Sequence, residues 1–367
     1  MNATENKSIM SMDNEKQTYS NTRFKDVTLY TYTYITPLII AIGLIGNAIT
    51  LKVFNSAAMK TMSASVYLSC LALADTSVLV FYVLSEWIRR GLPLLLPDIN
   101  FSILDVNGAC QIREYLSHLS RLLSSWVIVA FTCERCVSVC FPLKTLQKSP
   151  KRVLCILFTI CSILMVYTLY MNMSHSYGDF RVCSYRDGYE YEHFIAESMF
   201  VALIFFLPFL IISVANAMII RTLYHRGRSR IQVNDNSNIK IEFFMMMFAI
   251  SLFYIVFHIP YFIVWCRLRI ITNPKVSSVR DADFWMYWNG ILSICRPIYY
   301  MNYCSNFFLY CITGAKFRTE MKKIFMCKKQ TYNSVKTHIR ATELSSFTRN
   351  CQTSPSRTSR ETSTNRA

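Results

Sequence analysis

The sequence predicts an all-α membrane protein, a bundle of seven transmembrane helices. Of its 367 residues, 53% are hydrophobic and only 17% are charged, whereas soluble domains are about 25% charged. Seven apolar segments follow one another along the chain, and each is close to the ~20 residues that a helix needs to cross ~30 Å of hydrocarbon. Each segment is expected to be helical, because a backbone polar group without a partner is too costly in lipid.

The seven segments differ in how clearly hydropathy marks them. The first has no charge between Asp26 and Lys52, the second carries Asp75 near its middle, and the fourth has no charge at all. The third contains five charged residues and the seventh contains Arg296, so both would score poorly on hydropathy alone. In chain order the segments cover residues 27–54, 63–87, 108–141, 153–173, 194–224, 243–265 and 284–313.

The distribution of basic residues predicts how the chain is oriented. The connections after the first, third and fifth segments, and the chain after the seventh, are rich in Lys and Arg, while the other loops hold more acids. Cytoplasmic loops carry such an excess, which predicts a multi-pass plasma-membrane protein with its N-terminus outside. The net charge of +17 follows from these clusters. No module typical of nucleic-acid binding is present, so nucleic acid is not an expected partner.

Polar or amphipathic regions are predicted on both sides of the bundle, which itself occupies residues 27–313. Residues 1–26 form an extracellular tail that has no apolar signal-peptide core and contains glycosylation sequons at Asn2 and Asn6.

The chain after the bundle divides into two regions. Residues 314–329 place apolar side chains on one helical face and basic ones on the other, which predicts a short helix lying on the lipid surface at the cytoplasmic side. Cys327 at its end is interpreted as either a palmitoylated cysteine or a free thiol. Residues 330–367 are rich in Ser, Thr and Arg and are predicted to be a disordered cytoplasmic tail.

A carboxylate at bilayer depth is a functional candidate, because a charge there is costly without partners. Asp75 is such a residue. Polar side chains on the other segments could reach it, namely Asn47, Ser124, Asn302 and Asn306. Together they predict a hydrated pocket for a sodium ion, with a polar network that holds no ion as the alternative. No other cofactor or metal is predicted.

Cysteines at the outer ends of the segments predict one disulfide. Cys110 lies at the start of the third segment and Cys183 in the loop after the fourth, and the oxidising exterior permits a bond between them. Cys266, near the outer end of the sixth segment, is a competing partner.

Short motifs fall in register on the predicted segments. They are Gly46-Asn47, Leu71-Ala-Leu-Ala-Asp75, Glu134-Arg135-Cys136, Leu207-Pro208, Phe257-His258-Ile259-Pro260 and Asn306-Phe-Phe-Leu-Tyr310. With these motifs, and with the spacing between Cys110 and Arg135, the chain from residue 29 to residue 329 resembles the rhodopsin-like (class A) G-protein-coupled receptors. The run Met59-Lys-Thr-Met-Ser-Ala-Ser-Val-Tyr67 is also similar to invertebrate neuropeptide receptors, including FMRFamide-type ones.

The resemblance implies an activation switch at the cytoplasmic end. Glu134 would hold Arg135 in the inactive state, and Arg135 would then turn inward to meet a heterotrimeric G protein. Pro260 would kink the sixth helix and give its outward swing a pivot. Asn306 and Tyr310 belong to the seventh-helix motif, in which Tyr310 would move inward to support the open state.

The chain departs from the family pattern at three positions of this switch. His258 replaces the tryptophan that usually precedes the sixth-helix proline, Phe307 replaces the proline of the seventh-helix motif, and Asn216 stands where a tyrosine is usual. His258 is interpreted as a neutral, hydrogen-bonded core residue rather than as a group that titrates near neutral pH.

The resemblance also narrows the ligand. Amine receptors have an aspartate where this chain has Ser117, and retinal-binding members have a lysine where it has Tyr300. The side chains in the outer half of the bundle are instead polar and large, which favours a peptide as the ligand. The predicted pocket consists of Arg113, Glu114, Ser117, His118, Tyr261, Trp265, Arg296 and Tyr300.

Several alternatives stay open. Arg113 and Glu114 could pair with each other instead of with a ligand, and the ligand could be a small non-peptide molecule. A multi-span transporter or channel is the alternative of a different class, although no internal repeat is seen. No motif of a known enzyme class is present, so an enzyme is not expected. The tail after residue 330 is interpreted as a substrate of receptor kinases and, once phosphorylated, as a binding strip for arrestin.

Overall fold

The protein is described by a computed structural model. The described residues are 3–97, 106, 108–141, 150–172, 175–177, 183–185, 188–228, 235–271 and 282–326. Within them only the backbone is described for residues 3–22, 25, 150–151, 175–177, 183–185, 226–228, 235–244, 271 and 282–286.

The described chain is almost entirely helical. The helices are α1 (Ala3–Phe54), α2 (Ser63–Val78), α3 (Ser85–Arg90), α4 (Leu92–Leu95), α5 (Ala109–Cys140), α6 (Pro150–Asn172), α7 (Glu190–Val201), α8 (Leu207–Arg228), α9 (Asp235–Ile271), α10 (Ala282–Tyr300), α11 (Asn302–Thr313) and α12 (315–326). A π-helical segment, Leu79–Leu84, joins α2 to α3, and a second, Ala202–Phe206, joins α7 to α8.

Within the described residues, six helical stretches are long and apolar enough to cross a membrane. We name them spans 1 to 6, and they are Asp26–Phe54, Ser63–Leu95, Ala109–Cys140, Arg152–Asn172, Glu190–His225 and Met245–Ile270. Span 7 consists of α10 and α11. It was predicted as one segment over residues 284–313, but its helix is interrupted for one residue at Met301, whose N–H donates to the carbonyl oxygens of both Pro297 and Ile298.

The flanking regions differ in detail from the predicted boundaries. Helix α1 begins at Ala3, so the backbone of the predicted extracellular tail is helical where it is described, although the apolar stretch starts only at Asp26. The predicted surface helix is present as α12. The chain divides into two compact units, Met1–Arg318 and Thr319–Ala367. Residues 327–367, and Cys327 with them, lie outside the described residues.

One small sheet lies at the end of the bundle where span 3 begins, and we call this the outer end. Strands β1 (His175–Tyr177) and β2 (Cys183–Tyr185) pair antiparallel, with Ser176 opposite Ser184. Strand β1 lies against α5. The loop after span 4 therefore contains a β-hairpin.

The outward face of the bundle is apolar. On span 4, Phe158, Val166 and Tyr170 are each more than two thirds exposed. In water such a surface would be costly, but hydrocarbon is as apolar as these side chains, so the helices are held together by close packing and by interior polar contacts.

A π-helical segment provides one such polar contact. Trp126 of span 3 donates its indole N–H to the carbonyl oxygen of Leu203, at 3.1 Å. The Tyr254 hydroxyl of span 6 donates to the next carbonyl, that of Ile204. The wider π turn in span 5 is thus tied to spans 3 and 6 by side-chain donors.

Candidate functional site

At the inner end of span 3, Arg135 is held on two sides. Its Nε lies 2.6 Å from Glu134 Oε2, and its Nη2 donates to Ser63 Oγ, at 3.2 Å. The guanidinium also lies 5.4 Å from the ring centroid of Phe131. Ser63 begins α2 and was not among the predicted site residues. Arg135 is therefore bound by residues of spans 2 and 3.

The seventh-helix motif packs against span 1 and the start of α12. The buried ring of Tyr310 lies 5.3 Å from Phe54 and 5.6 Å from Phe317, centroid to centroid. Phe307 lies against Gly46, where an added Cβ would come within 2.9 Å of the Phe307 Cβ. The residue that replaces the usual proline therefore has a structural partner in span 1.

Asp75 is completely buried, and both of its carboxylate oxygens are hydrogen-bonded. Ser124 donates to Oδ1 at 2.6 Å, and the Asn306 amide donates to Oδ2 at 2.7 Å. Asn47 instead donates to the backbone carbonyl of Tyr303, at 3.1 Å. The buried Nδ2 of Asn302 has no hydrogen-bond partner. Of the four residues predicted to surround Asp75, two therefore bind it directly.

An aromatic layer crosses the bundle above Asp75, with Tyr299 of span 7 at its centre. Its ring lies 4.9 Å from His258 and 4.9 Å from Tyr261 of span 6, 5.9 Å from Phe205 of span 5 and 6.3 Å from Tyr82 of span 2. Rings of spans 2, 5 and 6 thus contact Tyr299 of span 7. A movement of span 6 would therefore change the packing around Tyr299.

His258 lies inside this layer. Its Nδ1 is 2.7 Å from the backbone carbonyl oxygen of Tyr254, and because a carbonyl can only accept, Nδ1 carries the proton. The buried Nε2 has no partner. Pro260 lies two residues further along, inside α9. This is the geometry of a hydrogen-bonded core histidine beside the predicted pivot.

Towards the outer end, Arg113 of span 3 is bound by two carboxylates. Its Nη2 lies 2.7 Å from Glu114 Oε1, and its Nη1 lies 3.9 Å from Glu86 Oε1. Arg90 also pairs with Glu86, with Nε 2.7 Å from Oε2. Of the two roles left open for Arg113 and Glu114, the structure shows the internal ion pair. Glu86 was not predicted, although an acid at the end of an apolar segment was its signal in the sequence.

A second outer pair joins span 3 to span 5. His118 Nε2 lies 3.1 Å from Glu197 Oε1, and its Nδ1 lies 2.7 Å from the backbone carbonyl oxygen of Glu114. The histidine ring packs edge-on against Phe200, at 4.6 Å. Glu197 was also missed, because an acid near a segment end looks like a solvated residue until its partner on another helix is known.

The other predicted pocket residues line the same region. Tyr300 packs edge-on against Tyr82, at 5.7 Å. Arg296 is buried one turn before Tyr300, and Ser117 is buried on span 3. Trp265 lies on span 6, where its ring is 5.5 Å from the guanidinium of Arg269.

Only one of the two cysteines of the predicted disulfide has a described side chain. Cys110 is disulfide-bonded, and Cys266, the competing partner, is free. Cys183 is the first residue of β2, and its side chain lies outside the described residues, as do Asn2 and the side chain of Asn6.

Comparisons with known proteins agree with this architecture. Residues 46–310 match the family described as 7 transmembrane receptor (rhodopsin family). The thyrotropin-releasing hormone receptor of Bos taurus is 27% identical over 329 residues, which are 80% of this chain and 77% of that receptor. The same receptor of Homo sapiens is 27% identical over 322 residues, with 80% and 77% covered. That of Gallus gallus is 26% identical over 320 residues, with 79% and 77% covered.

The family match covers more than half of the chain and runs from span 1 to the end of the seventh-helix motif. The predicted seven-helix fold is confirmed, and the class is one of receptors rather than of enzymes. This chain belongs to the rhodopsin family of seven-transmembrane receptors.

Proposed function

We propose that this chain is a plasma-membrane receptor for an extracellular peptide and that it activates a heterotrimeric G protein through Arg135. Its N-terminus lies outside the cell in this proposal, so that the hairpin and the outer charged residues face the ligand. The basic connections on the opposite side support that orientation.

One observation carries the ligand class, namely the charged and hydrogen-bonding side chains that spans 2, 3, 5 and 7 bring together in the outer half. They include Glu86, Arg113, His118, Glu197 and Arg296. A peptide has amide groups along its length and often charged ends. These groups can replace the contacts that the outer side chains make with one another. A lipid or a small amine would leave most of these groups without partners. The hormone receptors among the relatives support the same class.

The coupling part of the proposal rests on the geometry around Arg135. The Glu134 and Ser63 contacts keep the guanidinium bound at the inner end. A ligand that favours an open bundle would have to release both contacts, and it can shift the equilibrium only by its difference in affinity for the two states. Arginine is suited to the new contact because its fork can bind backbone carbonyls or a carboxylate of the partner.

The test is a second-messenger assay in cells that express the full chain with a promiscuous Gα subunit. Calcium is recorded against a library of short peptides, with amines and lipids as controls. We expect a peptide response that Arg135→Ala abolishes while surface expression is retained. Arg152→Ala is the matched control, because Arg152 is an exposed arginine at the inner end of span 4. A response to an amine or lipid alone would overturn the peptide assignment, and ion flux without a G protein would favour the transporter alternative.

We further propose that the Asp75 cluster can hold sodium. Asp75 and Ser124 offer oxygens, and the buried Nδ2 of Asn302 on span 7 has no hydrogen-bond partner. A hydrated cation would be met by the carboxylate, and waters around it could satisfy the amide. The alternative of an ion-free network predicts no dependence on sodium.

Modification of both ends completes the proposal. Asn2 and Asn6 would be glycosylated outside the cell, Cys327 would be palmitoylated at the lipid surface, and the tail after residue 330 would bind arrestin after phosphorylation by receptor kinases. The sequence pattern alone supports these assignments.

A further inference from the structure

Arg296 is a buried cation without a counter-ion in contact. Its side chain lies in the outer half of span 7, the residue is only 8% exposed, and its Nε has no hydrogen-bond partner. No salt bridge within 4 Å joins it to another described residue. A buried charge in this condition is destabilising unless an anion or water meets it.

Arg121 of span 3 is a second cation with no described carboxylate in contact. It lies between two rings, 4.2 Å from the centroid of Tyr82 and 4.7 Å from that of Phe200. Its Nε donates to the Ser117 carbonyl, at 3.1 Å, but no described carboxylate lies within salt-bridge distance. Arg121 as a residue is partly exposed although it lies between three spans.

The acids nearest to these two arginines are already bound elsewhere. Glu86 pairs with Arg90, Glu114 with Arg113, and Glu197 with His118. Both guanidiniums lie within electrostatic range of the same two tyrosines, Tyr82 and Tyr261, while Glu197 acts on Arg121 and Glu86 on Arg296 only from beyond salt-bridge distance. The interior between spans 2, 3, 6 and 7 is therefore positively charged among the described residues, with neutral hydroxyl donors beside the charges.

We propose that Arg121 and Arg296 together bind a carboxylate of the agonist, and that Arg121 is the residue that selects for it. The inference rests on the proposed peptide function and adds the charge that the peptide must carry. Arg121 follows Cys110 by about three helical turns, or roughly 16 Å, so the acidic group enters well below the outer end. A guanidinium fork binds a carboxylate through two parallel hydrogen bonds, and two such forks disfavour a neutral amide, which would leave both charges uncompensated.

The first experiment uses peptides in matched pairs. Each peptide of the calcium screen is made once with its acidic group and once with the neutral amide at the same position. For an active peptide, we expect the amide form to need a concentration about 10- to 100-fold higher. Arg121→Gln should remove most of that difference by weakening the acidic form alone, and Arg121→Lys should restore part of it because the charge remains but the fork is lost.

The control is Arg269→Gln. Arg269 is also an outer arginine, but its Nη2 already donates to the Phe194 carbonyl, at 2.7 Å, so any effect should be equal for both forms of a peptide. Active peptides that work equally well as acid and amide would overturn the inference and leave the peptide receptor standing. A difference that Arg121→Gln leaves unchanged would overturn it as well.

If no peptide activates the chain, that result counts against the proposed function. A second measurement then tests the anion site by itself. The purified full-length chain is heated in detergent with millimolar glutarate or with glutaramide, its neutral diamide. Preferential binding of the dianion should raise the melting temperature of the native chain but not that of Arg121→Gln or Arg296→Gln. Equal shifts with glutarate and glutaramide, or a glutarate shift retained in both variants, would overturn the anion site.

Discussion

Phe307 and Gly46 are in direct contact across spans 7 and 1. A Cβ on Gly46 would lie 2.9 Å from the Cβ of Phe307 and 3.2 Å from its Cγ, so the glycine provides the room that the phenylalanine needs. Phe307 in turn lies 6.3 Å from Phe317. A sequence departure at the seventh-helix motif is thus accommodated by a small residue on another helix.

Gly46→Ala is therefore expected to destabilise the bundle by overpacking, by about 1–3 kcal/mol. Thermal denaturation of the purified chain would show this as a lower melting temperature. Phe307→Ala in the same chain should restore part of the loss, because it removes the Cγ at 3.2 Å and the ring but keeps the Cβ at 2.9 Å. If the two substitutions are simply additive, Gly46 and Phe307 do not form the contact described.

The Arg135 contacts predict a graded change in basal signalling. Ser63→Ala removes one hydrogen bond to Arg135 and Glu134→Gln removes the charge of its closer partner, so both should raise ligand-independent signalling, with Glu134→Gln the larger. Basal second-messenger level at equal surface expression measures the change. The double variant with Arg135→Ala should be silent. Unchanged basal signalling in both single variants would contradict a restraining role for these contacts.

Asp75→Asn is expected to abolish any dependence of agonist affinity on sodium concentration. Asparagine has the same shape as aspartate and can still form hydrogen bonds with Ser124 and Asn306. It lacks the negative charge that attracts the cation. Agonist binding is compared between sodium and N-methylglucamine buffers of equal ionic strength. Asn47→Ala is a useful contrast, because Asn47 binds the Tyr303 carbonyl instead of Asp75. A native chain that is indifferent to sodium would favour the network without an ion.

Tyr254→Phe should lower stability by about 1–3 kcal/mol, because it leaves the buried Ile204 carbonyl without its side-chain donor. Ser125→Ala is the control, since its Oγ lies 3.2 Å from the same hydroxyl but is not needed by the carbonyl. The serine variant should be affected less. Equal losses in thermal denaturation would show that the carbonyl of the π-helical segment does not depend on Tyr254.

Cys110→Ser and Cys183→Ser are expected to have the same effect, a loss of surface expression and of ligand response, because either one would break the predicted disulfide between them. Cys266→Ser should be silent, since Cys266 is free. Peptide mapping without reducing agent would identify the linked fragments directly. A fragment that joins Cys110 to any cysteine other than Cys183 would refute the pairing.

The sequence by itself determined the class of this protein. Seven apolar segments, the basic connections and the motifs around Arg135 and Tyr310 are local features, and local hydropathy adds up along the chain whatever the neighbouring helices do. They were enough to predict the seven-helix bundle and to point to Asp75, His118 and Arg296. They did not show the break at Met301, which is a detail of the backbone hydrogen bonding in the assembled helix.

Only the tertiary structure decided which side chains meet. Glu197 became a partner of His118, Ser63 of Arg135 and Gly46 of Phe307 once the rotation and spacing of the helices were fixed. Those quantities depend on packing between segments far apart in sequence, and in lipid, packing and interior hydrogen bonds are the forces that set them. For the same reason Arg121 could not be distinguished in the sequence from an arginine with a counter-ion, because the lack of a partner is a property of the assembled bundle.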